Sequence, residues 1–293
     1  MNNTSTMLSV PPDRSLAPQT LGVLKLVDRI ARELELDYFV TGALARDILL
    51  SGVFGLDSGR GTMDVDLAIA VEDWSQFNLV KRRLLATNAF TAEDSTPHRL
   101  FHREDVRRKA YPLDLLPFGG IEERPHRIVW PPDLSIVMNV AGYREALAAA
   151  QEVQVATDFV IRVASLPGLA ILKLFAWIDR GVENPKDALD LVILLRQYGA
   201  AGNEDRLYGE EMSLLEVVGY NVDLASPRLL GKDAGRVIAI DTRDQVLAFL
   251  DDAVIRERLL RDMARAFHGA DDPIGEAEVL LSEFRTGLQE AAR

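Results

Sequence analysis

The sequence contains no cysteine and only four histidines among its 293 residues. Without thiols there are no disulfides and no thiolate metal centre, and four scattered imidazoles make a poor zinc cage, so any metal must be held by oxygen. Long apolar runs of membrane-spanning length are missing too. The opening segment MNNTSTMLSVPPDRS has neither the basic region nor the apolar stretch of a secretory leader. A cytoplasmic protein without membrane contact is expected. Positive charge is also short: 33 Lys and Arg stand against 45 Asp and Glu, a formal net charge of −12. That balance argues against a broad surface for nucleic acid. It leaves room for a local basic patch, with Lys81-Arg82-Arg83 and the run Arg103 to Lys109 as candidates. The first of these also reads as a solvated helix face.

What is present is the composition of a soluble globular chain, 48% apolar and 27% charged. Its length suits two domains, or one domain with a helical extension. Residues 1–17, polar and with two prolines, are expected to be a mobile arm. From Pro18 to Leu36 the positions Leu21, Leu24, Leu26, Val27, Ile30 and Leu34 recur at helical spacing.

The chemistry is concentrated in Tyr38 to Ala70. A short apolar run ends in Thr41-Gly42, a helical pattern follows over Ala43 to Ser51, and a glycine-rich loop precedes Thr62-Met63-Asp64-Val65-Asp66. This predicts strand, tight turn, helix, loop, strand. In the strand from Asp64 to Ala70, alternation puts both carboxylates on one face and sends Val65 and Leu67 into the core. Two carboxylates a few Å apart repel unless a cation lies between them, and Mg²⁺ is the simplest partner for oxygen ligands. D-x-D is also common in solvated turns. The upstream Gly42 lets the backbone approach a ligand closely, and a helix start beside it suits a triphosphate. Arg60, just before D-x-D, reads either as a phosphate partner or as an exposed loop residue.

Further on, Asp73 is placed to cap a helix with Trp74, Phe77, Val80 and Leu84 on one face. Arg99 to His102 and Tyr111 to Phe118 read as strands, and His98-Arg99 either lines the pocket or lies on the surface. Within YPLDLLPF, Asp114 is a charge in an apolar run. Burying it without a partner costs several kcal/mol, so it faces either a cation or water at an edge. Runs at Val153 to Val163 complete the strands. From Ser165 the texture is helical. Lys173 lies amid Leu169, Ile171, Leu172, Leu174 and Phe175 and either snorkels outward or reaches a polar cavity. Asp187 and Asp190 share one helix face, with capping by Asp187 as the plain alternative. Helices beyond residue 203 are expected to separate near Ser226-Pro227 and Asp271-Asp272-Pro273, forming a cap that shapes an acceptor site.

The pattern G-x-x-x-R-D at Gly42 to Asp47, T-x-D-x-D at Thr62 to Asp66 and the later lone strand residue Asp114 resembles the DNA polymerase β-type nucleotidyltransferase superfamily. GALARDILL at Gly42 to Leu50 is similar to the G-x-x-x-R-D-x-L-L run of CCA-adding tRNA nucleotidyltransferases. The loop Arg60-Gly61-Thr62 and the later helices, with K-D-x-x-D-L at Lys186 to Leu191, are more similar to AbiE-type abortive-infection toxin nucleotidyltransferases. The match is specific over about residues 37–120 and weaker over 160–200.

The resemblance implies an α/β fold of the α+β kind. A polymerase β-like core over 18–163, with a small mixed, mainly antiparallel sheet, would be followed by a helical domain over 164–293. It implies nucleotidyl transfer from an NTP to an acceptor hydroxyl, with Asp64, Asp66 and Asp114 holding one or two Mg²⁺ and Asp114 also the base. Thr41, Gly42, Ala43, Arg46, Arg60, Lys173 and Asp187 would serve the nucleotide, a structural ion pair with Asp47 or Asp64 being the alternative for Arg46. Many relatives carry Gly-Ser or Gly-Gly where this chain has Gly42-Ala43, so a hydroxyl is missing that backbone amides, or Thr41, replace. No E-D-x-x-R base-selecting motif stands on a later helix, which separates the chain from true CCA addition. The implied acceptor is tRNA or another RNA, and the implied partner is an antitoxin encoded nearby. A small-molecule, antibiotic-type nucleotidyltransferase and a catalytically silent nucleotide-binding module are the alternatives.

Overall fold

The computed structural model describes residues 7–93, 96–103, 110–123, 126–131, 134, 136–181 and 184–291. The chain separates into two units, Met1–Gly55 with Arg60–Ala164, and Leu56–Gly59 with Ser165–Arg293.

The first unit runs β1 (Leu8–Ser9), α1 (Pro18–Glu33), β2 (Tyr38–Thr41), α2 (Gly42–Asp47), β3 (Val65–Val71), α3 (Trp74–Leu85), β4 (Phe90–Ala92), β5 (Arg99–His102), β6 (Tyr111–Gly119), β7 (Arg127–Val129), β8 (Val137–Asn139), α4 (Tyr143–Ala148), β9 (Gln151–Ala156) and β10 (Phe159–Val163). Eight of these strands form one sheet in the order β1-β9-β10-β2-β3-β6-β5-β4, while β7 and β8 pair separately. Four of its seven pairings are antiparallel and three parallel, so it is mixed as expected. With eight strands it is larger than the small sheet expected.

The centre of the sheet is built from nearly continuous apolar runs, because strands covered on both faces have no solvent side to keep polar. All four residues of β2 are buried, as are Val65, Leu67, Ala68, Ile69 and Val71 of β3. Val23, Leu24, Val27, Ile30 and Ala31 of α1 are buried at helical spacing. The first turn of α3 is closed by Asp73, whose carboxylate accepts from the Gln76 amide at 2.8 Å, and Phe77, Val80 and Leu84 are buried.

Two expectations for this unit change. Residues 1–6 of the expected mobile arm lie outside the described residues, but Leu8–Ser9 pair in parallel with Val153 and Gln154. Arg14 donates to the Val53 carbonyl at 3.3 Å. A two-residue strand carries no periodic signal; the open edge of β9 supplies its hydrogen bonds. The helix after Gly42 also continues past Ser51, as a π-helical segment Ile48–Val53.

The second unit is helical: α5 (Leu166–Arg180), α6 (Lys186–Gln197), α7 (Glu204–Leu207), α8 (Met212–Val217), α9 (Val222–Val237), α10 (Ile240–Asp251), α11 (Ala253–Ala264) and α12 (Pro273–Glu290). Ser165 caps α5 by accepting from the Gly168 amide, and Asp272 caps α12 by accepting from the Gly275 amide at 2.9 Å, with Pro167 and Pro273 in the first turns. The break expected at Ser226-Pro227 lies inside α9 instead. Ser226 Oγ donates to the Leu195 carbonyl at 2.8 Å and accepts from the Gly199 amide at 2.9 Å. These bonds to the end of α6 and the turn after it offset the one helical bond that a proline cannot donate. Helices α9 and α12 approach backbone to backbone. A Cβ on Gly231 would stand 2.0 Å from the Phe284 carbonyl oxygen, and one on Gly287 would stand 2.0 Å from that of Arg228.

Candidate active site

Strand register assembles the acidic cluster. In the parallel pair β3–β6, Asp66 lies opposite Asp114, and Asp64 immediately precedes β3, two residues before Asp66 on the same face. One carboxylate oxygen from each of Asp64, Asp66 and Asp114 lies within 4.8 Å of the other two. Like charges placed directly across a sheet destabilise it. This face therefore calls for positive charge, and its all-oxygen donor set fits a hard divalent ion.

The turn before α2 is built around the same aspartate. Gly42 has φ +65°, and a Cβ there would stand 1.9 Å from Asp66 Oδ2. Glycine is needed both for the left-handed backbone and for the space that the Asp66 carboxylate fills. The close approach that the sequence suggested is thus made to a metal-ligand candidate of the chain itself. Asp64 is held by its neighbour Thr62, whose Oγ1 donates to Asp64 Oδ1.

Arg46 and Asp47 tie down the loop that delivers these residues. Arg46 donates to Asp47 Oδ1 from Nε at 3.0 Å and Nη2 at 2.8 Å, and from Nη2 to the Arg60 carbonyl at 2.6 Å. Asp47 Oδ2 in turn accepts from the Thr62 amide at 3.2 Å. The Arg46 side chain has no exposed surface. In this structure Arg46 makes the ion pair with Asp47 and anchors the loop. The Arg60 side chain is exposed. Thr41 and Ala43 are buried, Thr41 lying opposite Asp66 in β2–β3 and making no side-chain cap to α2.

The residue that the sequence left undecided is Arg99. It lies directly across from Asp114 in the antiparallel pair β5–β6 and donates to both carboxylate oxygens, Nε to Oδ1 and Nη2 to Oδ2, each at 2.6 Å. That hydrogen bond raises the Arg99 guanidinium above its ordinary range against the cost of burial, and the charges of Asp114, Asp64 and Asp66 add to the effect. Nothing in the local sequence shows this pairing; only the register between two strands does.

Lys173 and Asp187 belong to the second unit and are bound to each other. Lys173 Nζ donates to Asp187 Oδ1 at 2.9 Å and to Asp190 Oδ2 at 2.6 Å, and Arg180 also donates to Asp187. Lys173 is 6% exposed, so it does not snorkel, and Asp187 is 2% exposed inside α6 rather than capping it. Of the basic candidates, Lys81 donates to the Pro97 carbonyl at 2.6 Å, while residues 104–109 lie outside the described residues.

The chain belongs to the family described as nucleotidyl transferase AbiEii toxin, type IV toxin–antitoxin system, whose family model matches residues 28–289. No curated protein matches the sequence significantly. Among solved structures, the chain is similar to an antigenic nucleotidyltransferase-like protein from Paracoccidioides brasiliensis, at 15% identity and a TM-score of 0.41 over 71% of this chain and 93% of that one. The antibiotic-resistance factor ANT(2″)-Ia is 14% identical with a TM-score of 0.39, over 70% of this chain and 99% of the other. A CCA-adding enzyme in an apo form is 12% identical with a TM-score of 0.32, over 95% and 82%.

Proposed function

We propose that this nucleotidyltransferase moves an NMP from an NTP to a hydroxyl of tRNA or another RNA, with Mg²⁺ at Asp64, Asp66 and Asp114, and that it is a toxin restrained by a partner antitoxin. The observation that carries the metal-dependent chemistry is the convergence of three carboxylates within 4.8 Å on strands whose register opposes like charges. A bound divalent ion supplies neutralisation of the triphosphate and lowers the pKa of the attacking hydroxyl. The chain's own groups then position and accept a proton. Asp64, fixed by Thr62, and Asp66, seated against Gly42, present ligand oxygens on one face. Asp114 takes the proton of the acceptor hydroxyl as that oxygen bonds to the α-phosphorus. The bond from the α-phosphorus to the bridging oxygen breaks, and pyrophosphate leaves.

Backbone amides around Thr41, Gly42 and Ala43, with the exposed Arg60, are assigned to the phosphates. The family resemblance extends that assignment to Lys173 and Asp187. Among the described residues no helix is long and apolar enough to cross a membrane.

The test is incubation of the purified protein with Mg²⁺, total tRNA and each α-labelled NTP in turn, beside Asp64→Ala/Asp66→Ala. Label entering tRNA with the wild type alone is the expected result. Label entering an aminoglycoside instead would move the acceptor to small molecules, and no nucleotide binding in Mg²⁺ would overturn catalysis.

A further inference from the structure

Asp114 is asked to do two things with two oxygens: ligate a cation and accept a proton. Both oxygens are already engaged, each at 2.6 Å from one nitrogen of the Arg99 fork. The arrangement is a built one. Arg99 is the cross-strand partner of Asp114, its side chain is 32% exposed against 11% for Asp114, and its charge is felt by Asp64 and Asp66 as well. A bidentate guanidinium–carboxylate pair fixes the plane of the carboxylate as well as its position. Three carboxylates and one guanidinium leave a cluster of formal charge −2, which a single divalent cation balances.

We propose that Arg99 is a positioning residue, the resident counter-cation of the triad. It holds the Asp114 carboxylate in plane and competes with the divalent ion for it, so that metal binding to the bare site is weakened while Asp114 stays oriented for the acceptor proton. This rests on the reading of Asp64, Asp66 and Asp114 as metal ligands. A divalent ion held by Asp64, Asp66 and Asp114 would share the Asp114 carboxylate with Arg99. Removing its charge should therefore tighten metal binding and slow turnover together. A residue that served only the fold would not tighten it.

The experiment is a Mn²⁺ titration of the full chain without nucleotide, following the free-ion EPR signal, on wild type, Arg99→Gln, Arg99→Lys and Asp66→Asn. Arg99→Gln keeps hydrogen-bonding capacity and removes the charge; its Mn²⁺ dissociation constant is expected to fall at least threefold while nucleotidyl turnover drops tenfold or more. Arg99→Lys keeps the charge and loses the fork; Mn²⁺ affinity within twofold of wild type with turnover reduced about tenfold is expected. Unchanged or weaker Mn²⁺ binding by a folded Arg99→Gln overturns the proposal. So does full turnover by Arg99→Lys, which decides the matter if Arg99→Gln does not fold. Asp66→Asn separates the two readings: if it binds Mn²⁺ as wild type does, the metal site itself is wrong, whereas loss of binding there with no tightening in Arg99→Gln removes only the role of Arg99.

Discussion

One carbon atom at Gly42 would stand 1.9 Å from an oxygen of Asp66, in a backbone with φ +65° that side chains rarely adopt. Gly42→Ala must therefore move the turn or the carboxylate, and non-glycine strain of this kind costs roughly 1–3 kcal/mol. The expected outcome is a melting temperature lowered by a few degrees and turnover lowered about a hundredfold, because Asp66 leaves its place beside Asp114. A variant that melts and turns over like wild type would show that the close contact has no functional weight. Thr62→Val is a milder probe of the same geometry. It removes the hydroxyl that holds Asp64 Oδ1, so a loss of about tenfold in turnover is expected with little change in melting temperature. What was legible at this scale was the pair Asp64 and Asp66, through strand alternation, and Asp114, as a charge in an apolar run. For Arg46 the motif leaves a phosphate contact or an ion pair with Asp47 open, and its burial and its bond to the Arg60 carbonyl are tertiary facts that no local pattern carries.

Between α5 and α6, Lys173 is enclosed by Asp187 and Asp190. Burial alone would push the Lys173 ammonium down, but the charges and hydrogen bonds of the two aspartates hold it above its ordinary value of 10.5. Burial likewise pushes the Asp187 carboxyl up, and Lys173 and Arg180 overcome it, leaving the group below its ordinary 3.8. The signs follow from linkage. The Asp187 contribution is present above its unfolded value and is lost as pH falls through the lower folded one. The Lys173 contribution is full below its unfolded value and is lost as pH rises through the higher folded one. Wild-type stability should thus fall in acid below about pH 3.8, and Asp187→Asn should be less stable at pH 7 with a smaller acid loss, read by thermal melts from pH 7 to 2.5. An equal acid loss in both would remove Asp187 from the account. Lys173→Met removes the cation shared by two buried carboxylates, leaving Asp187 with Arg180, and is expected to cost about 3–5 kcal/mol in the same melts at pH 7. Helix existence was legible here through the helical texture that begins at Ser165 and the break at Asp271-Asp272-Pro273. The continuity of α9 through Pro227 was not, because Ser226 finds its partners 31 and 27 residues away, at Leu195 and Gly199.

For the molecule as a whole, the sheet illustrates what sequence can carry. Its centre announces itself in apolar runs, while the edge strand Leu8–Ser9 and the Arg99–Asp114 pairing exist only once β9 and β6 are beside them. The acceptor is argued at this scale as well, from a net charge of −12. An enzyme that grips RNA along its backbone neutralises many phosphates, and six to ten such contacts cost about 10³–10⁵ in affinity between 50 and 200 mM salt. An acidic chain that engages only the end carrying the reactive hydroxyl would neutralise about two, so for an RNA acceptor the KM should rise only about tenfold over that fourfold change in salt. The measurement is initial rate against tRNA concentration at several salt levels, with NTP and Mg²⁺ saturating. A rise of a thousandfold would mean that a dense basic face is assembled on this chain despite its overall charge, with the run Arg103 to Lys109 the first place to remove charge. A shallow dependence would mean that recognition is confined to the terminus of the acceptor.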